Sequence, residues 1–363
     1  MYNKTFKFLE CKDFLNLKFT GKFAASFDSI MLHWVTNTRN IHKIYYDKSL
    51  IKRVRVDKKK LPKLKSSIDI LGEISNHVAD EIGLRRNTKV VMGSPDLQSA
   101  VIGSGAVRDY EGHVYLGTSS WIICHVPNKK TDLSHNIASL PSAIPGKYFV
   151  ANEQESAGAC LTFLRDNMFF AEHETYYGNP AAYQIFDQWV KKAPIGSGQL
   201  IFTPWLYGER TPIEDHTVRG GFHNLSLAAK KEHMVRAVFE GVAFNSRWIL
   251  QYVEKFIGRQ MNPLNIIGGG AQSDIWCQIY ADILKRTIRQ VKDPIQANAR
   301  GAAYIASVAL GFLTFNDIPK HVQFTREFHP IPDHTKVYDQ LFKEFLEIYK
   351  NNKGMFRRLN QSQ

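Results

Sequence analysis

The sequence predicts an α/β protein of two domains, and three observations carry that prediction. Strand-like and helix-like segments alternate along much of the chain. An apolar run at Leu264 to Ile267 stops at Gly268-Gly269-Gly270 and resumes with helical spacing from Ser273. Finally, 363 residues with 44% hydrophobic content suffice for two cores.

The elements follow in order. Residues 61–107 read as a proline-containing entry, a helix around Ile74 to Ile82, a short strand Lys89-Val90-Val91-Met92, a turn at Gly93-Ser94-Pro95 and a helix opening at Asp96. After Gly112, His113 to Leu116 and Ser120 to Ile123 read as two strands meeting at Gly117-Thr118-Ser119-Ser120, near which a domain boundary is expected. Between Glu232 and Phe256, Met234, Ala237, Val238, Val242, Trp248, Ile249, Tyr252 and Val253 recur at three- and four-residue steps, which marks a long helix with one buried face. The strand at Leu264 to Ile267, the glycine turn, a helix from Ser273, a β-prone piece near Thr287 to Val291 and a helix from Ala299 to Leu310 come next. Leu341, Phe342, Phe345, Leu346 and Tyr349 share the face of a last helix over Tyr338 to Tyr349. Strands alternating with helices favour a sheet covered by helices.

Bulk properties narrow the function classes. No apolar run approaches the roughly 18 residues needed to span a bilayer, and the start has no signal-peptide core, so a cytoplasmic protein without membrane contact is expected. Cys11, Cys124, Cys160 and Cys277 form no Cys-x-x-Cys pair and are expected as free thiols. The net charge is +13, and residues 1–65 hold 16 Lys/Arg against 5 Asp/Glu. The densest run, Lys52 to Lys60, fits a solvated surface; no aromatic-rich nucleic-acid motif accompanies it, and nucleic acid is not an expected partner.

Three segments carry chemistry. At 268–270 three glycines remove every Cβ where a ligand would approach the backbone, and the helix that follows aims N–H groups at that point, which suits a nucleotide. An ordinary strand-to-helix turn has the same look. Gly117-Thr118-Ser119-Ser120 offers backbone N–H and hydroxyl groups that can surround phosphate oxygens, and as an isolated tetrapeptide it also fits a plain hairpin. Asp96, in the first turn of its helix, is on its own equally well explained by the helix dipole. His113, His125 and His223 lack ligand-like spacing and are expected at the surface or in packing.

Gly220, Phe222, Leu225, His233, Met234, Arg236, Ala237, Val238, Phe239 and Glu240 together resemble the second signature of the FGGY family of carbohydrate kinases, nearest to its xylulokinase-like members; Asn224 stands where the pattern has glycine. Gly208-Glu209-Arg210-Thr211-Pro212 is similar to the segment leading into that signature. Phe8 to Gly21 is similar to the family's Lys-Asp-Tyr-Leu…Leu-Thr-Gly helix. The resemblance implies a two-domain actin-like, ribonuclease H-like ATPase fold. It implies a sugar-binding domain over 1–110, an ATP-binding domain over 111–350 and a tail over 351–363. The implied reaction transfers the γ-phosphate of ATP to a hydroxyl of a sugar or polyol, a pentulose such as xylulose foremost. Asp96, aligned with the family's Gly-Gly-Asp, is implied as catalytic base, since an alcohol attacking phosphorus needs a carboxylate to take its proton. Gly117, Thr118 and Ser119 are implied on the phosphates. Gly268, Gly269, Gly270, Gln272 and Ser273 are implied on adenosine, with Gly269 and Gly270 leaving room for it and Gln272 or Ser273 bonding base or ribose. Leu97 stands where xylulokinases often carry Asn. Gly301-Ala302-Ala303 matches a packing segment of the family and is expected to pack closely against another helix.

Gly-Thr occurs only at Gly117-Thr118. Complete members open with an Asp-x-Gly-Thr hairpin that supplies the aspartate for Mg²⁺, so Met1 is expected to fall inside an incomplete first domain with exposed strand edges and apolar surface. Mg²⁺ is implied by the resemblance without a metal ligand assigned in this chain. Three readings follow. The first is a sugar kinase whose other half is a separate polypeptide or is missing through a wrong start site; that separate half or a homo-oligomer copy is the expected partner chain. The second is a non-catalytic nucleotide-binding or partner-binding remnant. The third is a nucleic-acid binder using the basic segment.

Overall fold

The computed structural model describes residues 1–170, 179 and 181–361. The first hundred residues hold α1 (Cys11–Thr20), β1 (Ala24–Ser26), α2 (Phe27–Ile30), β2 (Thr36–Asn37), β3 (Tyr45–Tyr46), α3 (Lys48–Val54), β4 (Lys63–Lys65), β5 (Ile70–Glu73), α4 (Asn76–Ile82), β6 (Lys89–Val91) and α5 (Asp96–Gly103). Their strands pair only in twos: β1 with β4 in parallel, β2 with β3 and β5 with β6 antiparallel. Phe6, Phe14, Leu15 and Trp34 are exposed beside them. The helix expected around Ile74 starts later, at Asn76, because Ser75 is extended (φ −64°, ψ 143°) and Ile74 still donates its N–H to Thr88 O as the strand does. The basic run lies on the end of α3 and the turn before β4 and is largely exposed, as a solvated face should be.

The remaining strands are β7 (Gly112–Leu116), β8 (Ser120–Val126), β9 (Thr131–Asp132), β10 (Ile137–Pro141), β11 (Tyr148–Ala151), β12 (Ile201–Thr203), β13 (Gly221–His223), β14 (Leu264–Ile267), β15 (Ile288–Val291) and β16 (Phe324–Phe328). The helices are α6 (Gly158–Leu164), α7 (Ala181–Lys192), α8 (Lys231–Ile257), α9 (Asp274–Leu284), α10 (Ala297–Ala309), α11 (Ile318–His321) and α12 (Pro332–Asn360). One eight-stranded mixed sheet runs in the order β16-β15-β14-β7-β8-β11-β10-β9, with β7, β14 and β15 parallel. The period of two then sorts side chains between two cores. Val114, Leu116, Ile122, Cys124, Leu264 and Ile266 face the layer of α8, α9 and α12, whereas Tyr115, Trp121, Ile123 and Ile267 face α5 and α10. The expected sheet covered by helices is therefore present, with the long helix α8 buried along most of its length.

Helices α5 and α10 cross at two glycines. A Cβ on Gly103 would fall 1.8 Å from Ala297 O, and one on Gly301 would fall 1.8 Å from Ser99 O, so only hydrogen fits at either point. Gly301 thus packs as expected, but Ala302 and Ala303 are exposed: one and two residues further round the helix, they turn away from the crossing. The tail expected over 351–363 is also corrected. Helix α12 continues to Asn360 with Phe356 buried, while 362–363 lie outside the described residues. The cysteines are free thiols, three of them buried. His113 and His125 are fully buried in strands β7 and β8, and His223 is half-buried.

Candidate active site

Asp96 opens α5 behind Pro95, whose extended backbone (φ −59°, ψ 169°) ends the turn from β6. The carboxylate is exposed and one oxygen accepts the N–H of Leu97 at 2.9 Å, leaving acceptor capacity for a ligand. Its negative charge reaches two neighbours. Burial raises the pKa of Tyr115, and the Asp96 charge adds to that; burial likewise raises that of Glu153, with Asp96 among the further contributors. Tyr115 precedes the β7–β8 turn, and the Ser119 hydroxyl opposes the rise at Glu153. The Asp96 charge is therefore felt by two residues that flank the Gly117-Thr118-Ser119 turn.

That turn is held by its carbonyls. Gly158 N donates to Gly117 O (2.8 Å), and Ala157 N and Ala159 N donate to Thr118 O (2.8 and 3.2 Å). The first amides of α6 are thus spent on the loop, and the backbone N–H groups of Thr118 and Ser119 donate to no group among the described residues. A Cβ on Gly158 would sit 2.6 Å from Gly117 O, so this approach requires glycine. Two free N–H groups and two hydroxyls at one turn can take phosphate oxygens.

The glycine turn abuts the same strand. Gly268 has φ 96° and ψ 177°, and a Cβ there would lie 2.5 Å from Leu116 O. Gly270 corrects an expectation: a Cβ on it would lie 2.5 Å from Leu116 Cγ and 2.9 Å from the Trp276 ring, so its lack of a side chain serves packing rather than ligand room. Gly269 does face open space, with nothing within 4 Å of its would-be Cβ. The Ser273 hydroxyl donates to Asp187 at 2.7 Å and accepts from Trp276 N at 3.2 Å, capping α9; Gln272 is exposed.

Sequence reasoning assigned no role to the groups beside the Gly117-Thr118-Ser119 turn. Arg210 bridges Glu153 (2.6 Å) and Glu155 (2.7 Å). Behind it the fully buried Glu209 accepts the N–H groups of Arg210 (2.8 Å) and Glu155 (3.1 Å) and the amide of Asn245. The segment Gly208 to Pro212 was the available signal, but its side-chain partners Asn245, Glu155 and Glu153 lie 36 to 57 residues away along the chain. Burial pushes the Glu209 carboxyl up to about 7. A raised carboxyl contributes stability that is present below its ordinary 4.5 and lost as pH rises through about 7. His113 and His125, lowered by burial to about 3 and about 4, give the opposite slope below pH 6.5. Glu209→Gln is therefore read as a difference from the unaltered chain. Thermal melts from pH 4.5 to 8 should show that difference shift in the variant's favour with rising pH, by on the order of 3 kcal/mol in total. A pH-independent difference would contradict the assignment.

Among the described residues no group of three or more His, Cys, Asp or Glu is arranged to hold a metal ion, and no helix is long and apolar enough to cross a membrane.

Comparison with known proteins gives a consistent match. The family model described as "FGGY family of carbohydrate kinases, C-terminal domain" matches residues 112–310, and the corresponding N-terminal domain model matches residues 1–103. The chain is 27% identical to a xylulose kinase of Bacillus subtilis over 98% of its own length and 69% of the relative's. It is 29% identical to a xylulose kinase of Staphylococcus epidermidis over 81% of its length, which is 58% of that protein. Its fold superposes on a crystal structure of gluconate kinase from Lactobacillus acidophilus with a TM-score of 0.84 at 26% identity, covering 97% of this chain and 69% of the other.

Proposed function

Because the chain belongs to the FGGY family of carbohydrate kinases, we propose that it transfers the γ-phosphate of ATP to a hydroxyl of a sugar or polyol, with a pentulose such as xylulose as the first substrate to test. The observation that supports this reading is that the exposed Asp96 carboxylate acts electrostatically on Tyr115 and Glu153, which flank the turn where the Thr118 and Ser119 N–H groups have no acceptor among the described residues. Asp96 takes the proton of the attacking hydroxyl. Gly117, Thr118 and Ser119 hold the phosphates, and the turn from Gly268 to Ser273 receives adenosine at Gly269 and Gln272. Residues 1–110 are read as the sugar-binding domain and 111–350 as the ATP-binding domain.

Xylulose and gluconate kinases among the relatives and neighbours support polyhydroxylated chains of five or six carbons as the first acceptors to test. Leu97, beside Asp96, presents an apolar side chain rather than a hydrogen-bonding one, which disfavours recognition of a sugar hydroxyl at that point. Mg²⁺ accompanies ATP in phosphoryl transfer and neutralises phosphate charge. No residue of this chain is assigned to it, and Glu153 and Glu155 are already paired with Arg210.

The test is ATP turnover against pentuloses, hexuloses, gluconate and polyols. It is run with the chain alone and with a polypeptide supplying an Asp-x-Gly-Thr hairpin. Saturable, acceptor-dependent ADP release in either format is expected. ATP binding without release in both formats would instead establish a non-catalytic nucleotide-binding protein.

A further inference from the structure

Asp28 is a fully buried carboxylate whose two oxygens both accept hydroxyl groups: Ser67 donates to one at 2.7 Å and Ser94 to the other. Among the described residues it has no ion-pair partner, so its burial carries a desolvation cost that two neutral donors offset only in part. Both donors belong to one structural feature. Ser94 lies two residues before Asp96, and Ser67 O accepts the N–H of Gly93 at 2.9 Å. The residue before, Met92, is clamped from α1, where Lys12 Nζ and Asn16 Nδ2 donate to its carbonyl at 2.9 and 2.8 Å. Lys12 also pairs with the buried Asp13, which accepts the hydroxyl of Ser29, the residue next to Asp28. Three successive residues, Met92 to Ser94, are thus fixed by polar groups gathered around α1 and α2. Among the described residues Asp96 itself holds only the N–H of its own helix.

We propose that Asp28 is a positioning residue for the catalytic carboxylate. It fixes Ser94, Pro95 limits the rotation between Ser94 and Asp96, and the Asp96 side chain is thereby presented at a set distance from the phosphate turn. The inference rests on the reading of Asp96 as base. It explains why a carboxylate with two hydroxyl donors is retained in a site where an apolar residue would pack without desolvation.

The experiment uses the full chain with Asp28→Ala, Asp28→Asn, Ser94→Ala and the Asp28→Ala/Ser94→Ala double variant. Displacing a base by about 1 Å costs on the order of 10²-fold in rate, so Asp28→Ala and Ser94→Ala should each lower kcat at least about tenfold while the KM for ATP stays within about twofold. The double variant should fall no further than the worse single one, because both remove one link. Asp28→Asn, which keeps an oxygen for Ser94, should restore most of the rate. Amide hydrogen exchange over 92–97 should accelerate in Asp28→Ala and Ser94→Ala, with α8 unchanged. Additive losses, or Ser94→Ala with wild-type kcat and exchange, overturn the proposal. If the unaltered chain shows no turnover, either alone or with the polypeptide that supplies an Asp-x-Gly-Thr hairpin, the kinase reading fails separately, and the exchange data alone decide whether Asp28 anchors this turn.

Discussion

Asp96→Asn should lower kcat for phosphoryl transfer by about 10²–10⁴-fold and leave the KM for ATP within about twofold. The substitution preserves volume and the oxygen that accepts the Leu97 N–H at 2.9 Å, so the first turn of α5 is kept. What disappears is the proton acceptor. The sugar hydroxyl can then still meet the γ-phosphate, but its proton has no carboxylate to go to as the bond to phosphorus forms. A second readout comes from electrostatics. The Asp96 charge helps hold up the pKa values of Tyr115 and Glu153, so both should drop in the variant. If Asp96→Asn keeps turnover within about tenfold while those values do drop, the carboxylate is in place but is not the base. Glu153, beside Ser119, would then be the next residue to substitute.

Much of this arrangement was legible in the sequence, for identifiable reasons. The strand at Leu264 to Ile267, the turn after it and α9 follow from an apolar run, three glycines and a restored helical period, all local signals. The β7–β8 hairpin is as local. Long-range polar links were not legible: Asp28 meets Ser94 across 66 residues, and Arg210 meets Glu153 across 57. Nothing in the spacing of a carboxylate tells whether a hydroxyl from a distant strand will reach it. Gly270 shows the other limit. A glycine that makes room for a ligand and one that makes room for a neighbouring side chain look alike in sequence, and only the position of Leu116 separates them. The extent of α12 escaped for a third reason. Its apolar face thins after Tyr349, yet Phe356 returns to the core and carries the helix on.

Gly268 and Gly269 should respond to substitution in opposite ways, which makes them a sharp test of where the nucleotide sits. Gly268 occupies a backbone region open almost only to glycine, and its Cβ would meet the Leu116 carbonyl at 2.5 Å. Neither atom can yield without moving the strand that leads into Gly117. Gly268→Ala should therefore destabilise the protein by about 2–4 kcal/mol, combining backbone strain with overpacking, and should weaken ATP binding through the displaced phosphate turn. Gly269 has open space around it, so Gly269→Trp should change stability by less than about 0.5 kcal/mol. An indole there fills the volume proposed for adenosine, and ATP affinity should fall at least about 100-fold, equivalent to about 2.7 kcal/mol. Thermal melts with titration calorimetry separate the two effects. Wild-type ATP affinity in Gly269→Trp would move adenosine away from this turn. A large loss of stability in that variant would mean that the space beside Gly269 is part of the fold, and that lost binding there reports packing rather than contact.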